Sequence, residues 1–216
     1  MHLRDWLVIG DAQRTGDLGA RPVAEGFHGV MTDTEPTMQA IHKAEAVFWL
    51  EDRLPEAPST LHALASARLL FINSVEATTR ELPLTGNIVR INAWPGFLRH
   101  PLLELAAPEA VRPLAEAFLR DIGWDWRWVA DIPGMATPRI LTMIVNEACH
   151  AFREGVSDPA GIDRAMRLGA SYPGGPFEWS RIIGADRIAA LLEKLAVSDE
   201  RYRPAPGLRE ILGSNP

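Results

Sequence analysis

The chain has 216 residues, 47% of them hydrophobic and 23% charged, which is enough to bury a core and fits one domain or two small ones. Its formal net charge of -6 and its scattered arginines leave no basic face for a nucleic acid. No apolar run approaches the ~20 residues of a membrane span, and the first residues predict a strand rather than an export signal. We therefore expect a cytoplasmic protein with neither nucleic acid nor membrane as a partner.

Short β-rich runs recur through the first half of the chain, and stretches that can form helices separate several of them. Strands are predicted at 5–11, 28–33, 45–52, 68–75, 87–94 and 101–107, with helices at 36–44 and 57–66. Near-continuous apolar strands that alternate with helices predict a parallel sheet covered on both faces. We therefore predict an α/β domain over residues 1–107.

From residue 108 onward the hydrophobic period becomes helical. One further strand is predicted where Trp124, Trp126 and Trp128 alternate with charged residues, and these indoles are expected to cover neighbouring helices rather than to bind a ligand. The rest of the chain has the pattern of successive helices. The second predicted domain, over 108–216, is therefore helical.

The single cysteine, Cys149, cannot form an internal disulfide and lies in a predicted helix. A buried, inert thiol is favoured over a nucleophile. No metal site is expected.

Several motifs follow one another in a fixed order between residues 129 and 212. They read DIPGM, PRILTMIVNEACHAFREGV, GIDRAMRLGASYPGGPFEW and RYRPAP. This region closely resembles the C-terminal domain of the 3-hydroxyacyl-CoA dehydrogenases, because order and spacing match as well as the single motifs. The resemblance implies an all-helical domain that forms a homodimer contact and closes over an acyl-CoA thioester.

The first half resembles the dinucleotide-binding domain of the same family more faintly, through LVIGD, EAVFWLED and FINSVEATTREL. The family's sheet domain is much longer than the stretch present here. The resemblance therefore implies a shortened Rossmann-like domain at 1–107, followed by the helical domain. It also implies NAD as the candidate cofactor.

The phosphate-binding fingerprint of a dinucleotide domain needs three glycines, for a tight turn and for close approach of the pyrophosphate. The aligned residues are Gly10, Ala12 and Thr15, so only the first glycine is retained. Asp33, 23 residues after Gly10, stands where an acidic residue would hold the adenosine ribose. Arg14 could supply a counter-charge to a shifted phosphate loop. Two replaced glycines nevertheless argue against tight NAD binding.

The family takes the hydroxyl proton of its substrate with a histidine that a glutamate orients, twelve residues further along. Glu104 matches the glutamate, and Asn92 stands in the position of the histidine. An amide cannot accept a proton at physiological pH. Of the positions that the resemblance assigns to substrate binding, Asn73 is retained and Ser74 is the nearest hydroxyl. Pro138 replaces a further asparagine.

These departures leave two main hypotheses for the function. The favoured one is a 3-hydroxyacyl-CoA dehydrogenase-like protein of acyl-CoA metabolism that keeps the scaffold but has impaired or lost hydride transfer, with an acyl-CoA-binding or scaffold role. The alternative is an active NAD-dependent 3-hydroxyacyl-CoA dehydrogenase with rearranged catalytic groups, in which His100 is the one conceivable substitute base. A purely structural partner is the third hypothesis.

Overall fold

The structure, a computed structural model, describes residues 4–32, 34 and 36–213. It separates into two compact units, Met1–Met135 and Ala136–Pro216. The first unit contains the sheet and the second is helical. The fold class predicted from the sequence, a shortened Rossmann-like α/β part followed by a helical part, is confirmed.

Seven strands form one sheet in the first unit, in the order β2-β1-β3-β4-β5-β6-β7. The strands are β1 (Arg4–Ile9), β2 (Phe27–Thr32), β3 (Val47–Trp49), β4 (Leu70–Asn73), β5 (Ile88–Ile91), β6 (Leu102–Ala106) and β7 (Asp125–Trp128). The helices of this unit are α1 (Ala12–Gly19), α2 (Met38–Lys43), α3 (Pro58–Ala65) and α4 (Arg112–Ile122), and Phe97–Arg99 form a short 3-10 turn.

The predicted parallel pairing holds for β1 to β5, but the last two strands run in the opposite direction. β6 pairs with β5 antiparallel, and β7 then runs parallel to β6. The reason lies in the short segment 92–101, in which Gly96 adopts a left-handed φ of 88°. A parallel return would need a crossover of about a dozen residues or more, usually a helix, whereas a short connection reverses the chain.

Both faces of the sheet are covered, as the apolar strands predict. Along β1, Trp6 and Val8 belong to one buried cluster while Leu7 and Ile9 belong to the other. The first cluster includes side chains of α1 and α4, and the second includes side chains of α2 and α3. Successive side chains of a strand point to opposite faces, so each cluster contains every second residue.

The unit boundary lies at 135/136, not at the expected 107/108, because α4 and β7 complete the sheet unit. Trp124 is 3% exposed and packs edge-on against Trp6, with ring centroids 5.1 Å apart. Trp128 donates its indole N–H to Glu116 of α4 over 2.7 Å. The tryptophans therefore belong to the core of the first unit, and their predicted packing role is confirmed.

A fully buried arginine fixes the connection between β4 and β5. Arg90 has 0% exposure and donates to the carbonyl oxygens of Ser74 at 2.7 Å and Val75 at 2.9 Å. Its Nη1 also donates to Asp131 Oδ1 at 2.6 Å. Asp131 in turn accepts hydrogen bonds from the backbone N–H and the hydroxyl of Thr79. The Arg90–Asp131 ion pair thus holds the segment 74–79 and the segment around residue 131 together.

The second unit consists of helices, as predicted. They are α5 (Thr137–Arg153), α6 (Pro159–Gly169), α7 (Pro176–Ile183), α8 (Ala185–Ala196) and α9 (Leu208–Gly213), with a 3-10 turn at Glu200–Tyr202. Cys149 is fully buried, as predicted, and burial raises the pKa of its thiol to about 12, which disfavours the thiolate. None of the described helices combines the length and apolar character needed to cross a membrane.

Replacement of Asp131 by asparagine is expected to lower the free energy of unfolding by about 3 kcal/mol at neutral pH, because Arg90 then stays buried without its counter-ion. Chemical denaturation followed by tryptophan fluorescence measures this change. Asp5→Asn is the matched control, since the side chain of Asp5 forms an exposed pair with His28 at 3.7 Å and its replacement is expected to change the stability little.

The same pair predicts how the stability depends on pH. Burial raises the pKa of Asp131, but the hydrogen bonds from Thr79 and Arg90 outweigh this effect, so the pKa is lowered overall. The stabilisation is therefore present above the unfolded value of about 3.9 and is lost as the pH falls through the lower folded value. The difference between wild type and Asp131→Asn should shrink below about pH 4. A difference that stays constant down to pH 2, about two units below the unfolded pKa, contradicts this assignment.

Candidate functional site

The structure brings Asn92 and Glu104 together at the point where β5 ends. Asn92 follows β5 and is 4% exposed, and Glu104 lies on the neighbouring strand β6, half-buried. The Asn92 side-chain N–H donates to Glu104 Oε2 at 3.4 Å, and the Asn92 backbone N–H donates to the Glu104 carbonyl at 3.2 Å. The Asn92 side-chain oxygen accepts from the Trp94 N–H at 3.3 Å.

This pair determines what chemistry is available at the end of β5. The Asn92 amide can donate and accept hydrogen bonds but cannot take up a proton. Imidazole, which titrates near neutral pH, is the usual general base for a hydroxyl proton. Removal of a proton from an alcohol at neutral pH needs a base such as imidazole. The Asn92–Glu104 pair offers an amide and a carboxylate instead.

The two side chains that the resemblance assigns to substrate binding are hydrogen-bonded within the first unit. Asn73, at the end of β4, donates to the Leu50 carbonyl at 3.4 Å and to Asp52 Oδ1 at 3.2 Å, and its oxygen accepts from the Ala93 N–H at 3.3 Å. The Ser74 hydroxyl donates to the Ala77 carbonyl at 2.8 Å. These bonds link the ends of β3, β4 and β5. They engage both the side-chain nitrogen and the side-chain oxygen of Asn73.

Gly10 lies in the turn between β1 and α1, where the chain passes very close to the end of β3. A Cβ atom on Gly10 would lie 2.9 Å from the Cβ of Leu50. Glycine is therefore required here by the approach of two backbone segments, whether or not a phosphate is bound.

The turn also holds a buried arginine. Arg14 is 2% exposed and donates from Nη1 to the Leu50 carbonyl at 2.8 Å and from Nη2 to Asp52 Oδ1 at 2.6 Å. Asp11 caps α1, because its Oδ1 accepts the Arg14 backbone N–H at 2.8 Å, and its Oδ2 lies 3.4 Å from Arg14 Nη1. The side chain of Arg14 thus points into the unit and does not act as an exposed counter-charge.

The remaining candidates lie apart from these contacts. Asp33 is outside the described residues. His100 is exposed, as expected for a surface loop, and its carbonyl accepts from Arg21. In the second unit, Pro138 lies in the first turn of α5, and Arg139 donates to the Tyr202 hydroxyl at 2.6 Å. Within the part of the chain that the structure describes, no group of three His, Cys, Asp or Glu side chains could hold a metal ion.

Comparison with known proteins gives the family. Residues 134–215 match the family model described as 3-hydroxyacyl-CoA dehydrogenase, C-terminal domain. The 3-hydroxyadipyl-CoA dehydrogenase of Escherichia coli is 42% identical over 105 residues, which cover 48% of this chain and 22% of that protein. The probable 3-hydroxybutyryl-CoA dehydrogenase of Bacillus subtilis is 39% identical over 86 residues, covering 39% of this chain and 30% of that protein.

Residues 134–215 carry the C-terminal domain of the 3-hydroxyacyl-CoA dehydrogenase family, and the chain is similar to these enzymes. It nevertheless spans only about a fifth to a third of the length of the curated relatives above. The crystal structure of the (S)-3-hydroxybutyryl-CoA dehydrogenase from Ralstonia eutropha has the same fold, with a TM-score of 0.70 over 98% of this chain and 94% of that chain at 18% identity. A 3-hydroxybutyryl-CoA dehydrogenase structure from Escherichia coli is 34% identical, with a TM-score of 0.55 over 68% of this chain and 32% of that chain.

The turn after β1 departs from a dinucleotide site. Ala12 and Thr15 carry side chains where the fingerprint has glycine, and the Thr15 hydroxyl donates to the Asp11 carbonyl at 2.8 Å. The Asp11 carboxylate adds negative charge at the place where a phosphate would approach. The residues of this turn do not fit the pyrophosphate of NAD.

The sequence analysis missed Asp52. It also expected Arg14 as a counter-charge to a phosphate, whereas Arg14 bonds to Leu50 and Asp52. Asp52 follows β3 by three residues and accepts from both Arg14 and Asn73. A signal was present, since an acidic residue after a buried strand lies at the carboxyl edge of a parallel sheet, where polar side chains from several strands meet. Its partners, however, are 38 and 21 residues away in sequence, and no local pattern identifies them.

Gly10→Ala is expected to destabilise the protein by about 1–3 kcal/mol, because the added methyl group overlaps Leu50. Gly16→Ala is the matched control in the same helix region. Its Cβ meets nothing within 4 Å, so it is expected to stabilise by about 0.5–1 kcal/mol through helix propensity. Urea denaturation of both variants measures the difference. Equal effects of the two substitutions contradict the close approach described above.

Proposed function

We propose that this chain is a derivative of the 3-hydroxyacyl-CoA dehydrogenases that binds acyl-CoA thioesters but does not transfer hydride. The single observation that carries this proposal is the amide of Asn92, which donates to Glu104 where the family has its proton acceptor. The names of the relatives support the ligand class, because 3-hydroxyadipyl-CoA and 3-hydroxybutyryl-CoA are both acyl-CoA thioesters.

Oxidation of a secondary alcohol by hydride transfer needs a base that takes the hydroxyl proton in the transition state. Loss of such a group costs about 10²–10⁴-fold in rate. The hydride acceptor would also have to bind at a turn whose amides and charges are engaged by Asp11 and Arg14. The missing base and the occupied turn are independent obstacles, so a substitution that restores the base does not restore NAD binding.

An active dehydrogenase is the competing proposal, and the retained Glu104 favours it. In that case Glu104 would act as the base directly. A carboxylate is an intrinsically weaker base than an imidazole, so turnover at neutral pH would be slow even with NAD in place. Ligand binding and turnover separate the two proposals.

The purified protein is expected to melt at higher temperature in the presence of octanoyl-CoA and at unchanged temperature in the presence of NADH. A ligand that binds only the folded state stabilises it, by about 2.7 kcal/mol at a concentration of 100 Kd. Differential scanning fluorimetry with free coenzyme A as a second control separates recognition of the acyl chain from recognition of the nucleotide part. Stabilisation by NADH but not by octanoyl-CoA contradicts the proposal.

Turnover provides the second arm of the same test. Neither the wild type nor the double variant Asn92→His, Pro138→Asn is expected to oxidise 3-hydroxybutyryl-CoA with NAD, as followed by NADH absorbance. Oxidation by the wild type that disappears in Glu104→Gln supports the active enzyme instead. Gain of turnover in the double variant alone shows that the first unit still holds NAD.

We also propose that the chain forms a homodimer through its C-terminal helices. A groove of about 480 Å³ follows α5, and its lining combines apolar side chains with charges of both signs (Arg139, Ile140, Met143, Ile144, Glu147, Arg201 and Tyr202). Ile140 is 62% exposed there. An apolar strip with opposite charges beside it suits a self-complementary, two-fold contact.

Ile140→Glu is expected to convert a dimer into a monomer without loss of helical content, because it buries a charge in the proposed contact. Sedimentation equilibrium measures the mass, and circular dichroism checks the fold. Val156→Glu is the matched control, since Val156 is 69% exposed but lies outside the groove. A wild type that is monomeric at micromolar concentration excludes this contact.

A further inference from the structure

The start of α1 already contains an anion, and that anion belongs to the chain itself. The first backbone N–H groups of a helix and its dipole favour negative charge, which is why phosphates bind there in dinucleotide folds. In this protein the Asp11 carboxylate accepts the Arg14 N–H at 2.8 Å. Asp11 therefore makes the contact that a ligand phosphate would make.

A cation is also present at the same place. The Arg14 guanidinium is buried, lies 3.4 Å from Asp11 Oδ2 and donates to Asp52 Oδ1 at 2.6 Å. It also donates to the Leu50 carbonyl at the end of β3. Two carboxylates thus share one guanidinium. An additional phosphate would meet a backbone N–H that already donates to Asp11, and a local excess of negative charge.

We propose that the turn between β1 and α1 is a phosphate site whose ligand position is occupied by a carboxylate of the chain itself, although the buried Nε of Arg14 has no hydrogen-bond partner among the described residues. Asp11 replaces the ligand phosphate, and the ion pairs with Arg14 bind the turn to the end of β3, so that the turn has become a structural connection of the first unit. This inference is independent of acyl-CoA binding, since it concerns only contacts within the first unit.

The test is chemical replacement of the missing anion. Asp11→Ala is expected to lower the melting temperature by about 2–4 °C, the loss typical of a removed helix cap in a chain of this size. Millimolar pyrophosphate should restore most of this loss, because it can accept the vacated backbone N–H of Arg14. The wild type should not respond to pyrophosphate.

Two controls make every outcome decisive. Asp158 caps α6 in the second unit by accepting the Gly161 N–H at 2.6 Å, and Asp158→Ala should lose stability without recovery in pyrophosphate. Asp11→Asn keeps a cap acceptor but loses the ion pair with Arg14, so it should lose less stability than Asp11→Ala and show no recovery in pyrophosphate. Equal recovery of Asp158→Ala shows a general salt effect and overturns the proposal, as does an Asp11→Ala variant that pyrophosphate does not stabilise.

The wild type alone provides a further measurement that does not depend on any variant. If the fluorescence of NADH shifts and its intensity rises on addition of the wild-type protein, the turn accepts a dinucleotide as it stands and the proposal fails. The proposed acyl-CoA binding would be untouched by that result, because it is measured with octanoyl-CoA.

Discussion

The buried guanidinium of Arg90 is the interaction on which the polar edge of the sheet depends. A charge with no exposure costs several kcal/mol unless hydrogen bonds and a counter-ion compensate it. Here the compensation comes from Asp131 and from the carbonyl oxygens of Ser74, Val75 and Ile132. A parallel pair such as β4 and β5 usually needs a helix in its crossover, whereas this one is joined by residues 74–87 without a regular helix.

The same cation determines the positions of the two asparagines at this edge. Asn73 directly precedes the Ser74 carbonyl that Arg90 binds, and Asn92 lies two residues beyond Arg90 on the continuation of β5. The Ala93 N–H, next to Asn92, donates to the Asn73 side chain. The candidate site is therefore built on a connection that a single ion pair stabilises, and its geometry cannot be separated from the stability of the unit.

The apolar pattern of the chain predicted all seven strands and most helices, because the central strands are buried on two faces, β7 alternates between tryptophan and charged residues, and most helices have one apolar face. The pattern could not predict that β6 reverses direction, since direction depends on the left-handed Gly96 and on the length of the connection. It also could not place the unit boundary, which follows from the pairing of β7 with β6. Arg90 was visible as a charge inside an apolar strand, but its partner Asp131 lies 41 residues away.

The candidate site was predictable to the extent that motif spacing carries over within the family. The twelve-residue spacing brought Asn92 and Glu104 to one point, and the antiparallel pairing of their strands supplies the physical reason. The bonds of Asn73, Arg14 and Asp52 were not predictable, because they join three strand ends that the sequence keeps far apart. The hydrophobic pattern of a strand or helix predicts which face a residue occupies, but it does not predict which residue of another element that side chain contacts.

A binding edge that awaits a ligand normally keeps some polar groups unsatisfied, and this costs stability that the ligand repays. The side chains of Asn73, Asn92, Arg14 and Asp11 instead bond to one another or to the strand ends, with the buried Nε of Arg14 as an exception among the described atoms. A ligand at this edge must therefore replace existing hydrogen bonds one by one, and each broken bond to a charged group costs about 1.5–3 kcal/mol. An anionic dinucleotide would have to break the most of them. An acyl chain needs apolar surface and does not compete for these hydrogen bonds, so the proposed loss of hydride transfer and the proposed thioester binding are physically compatible in one chain.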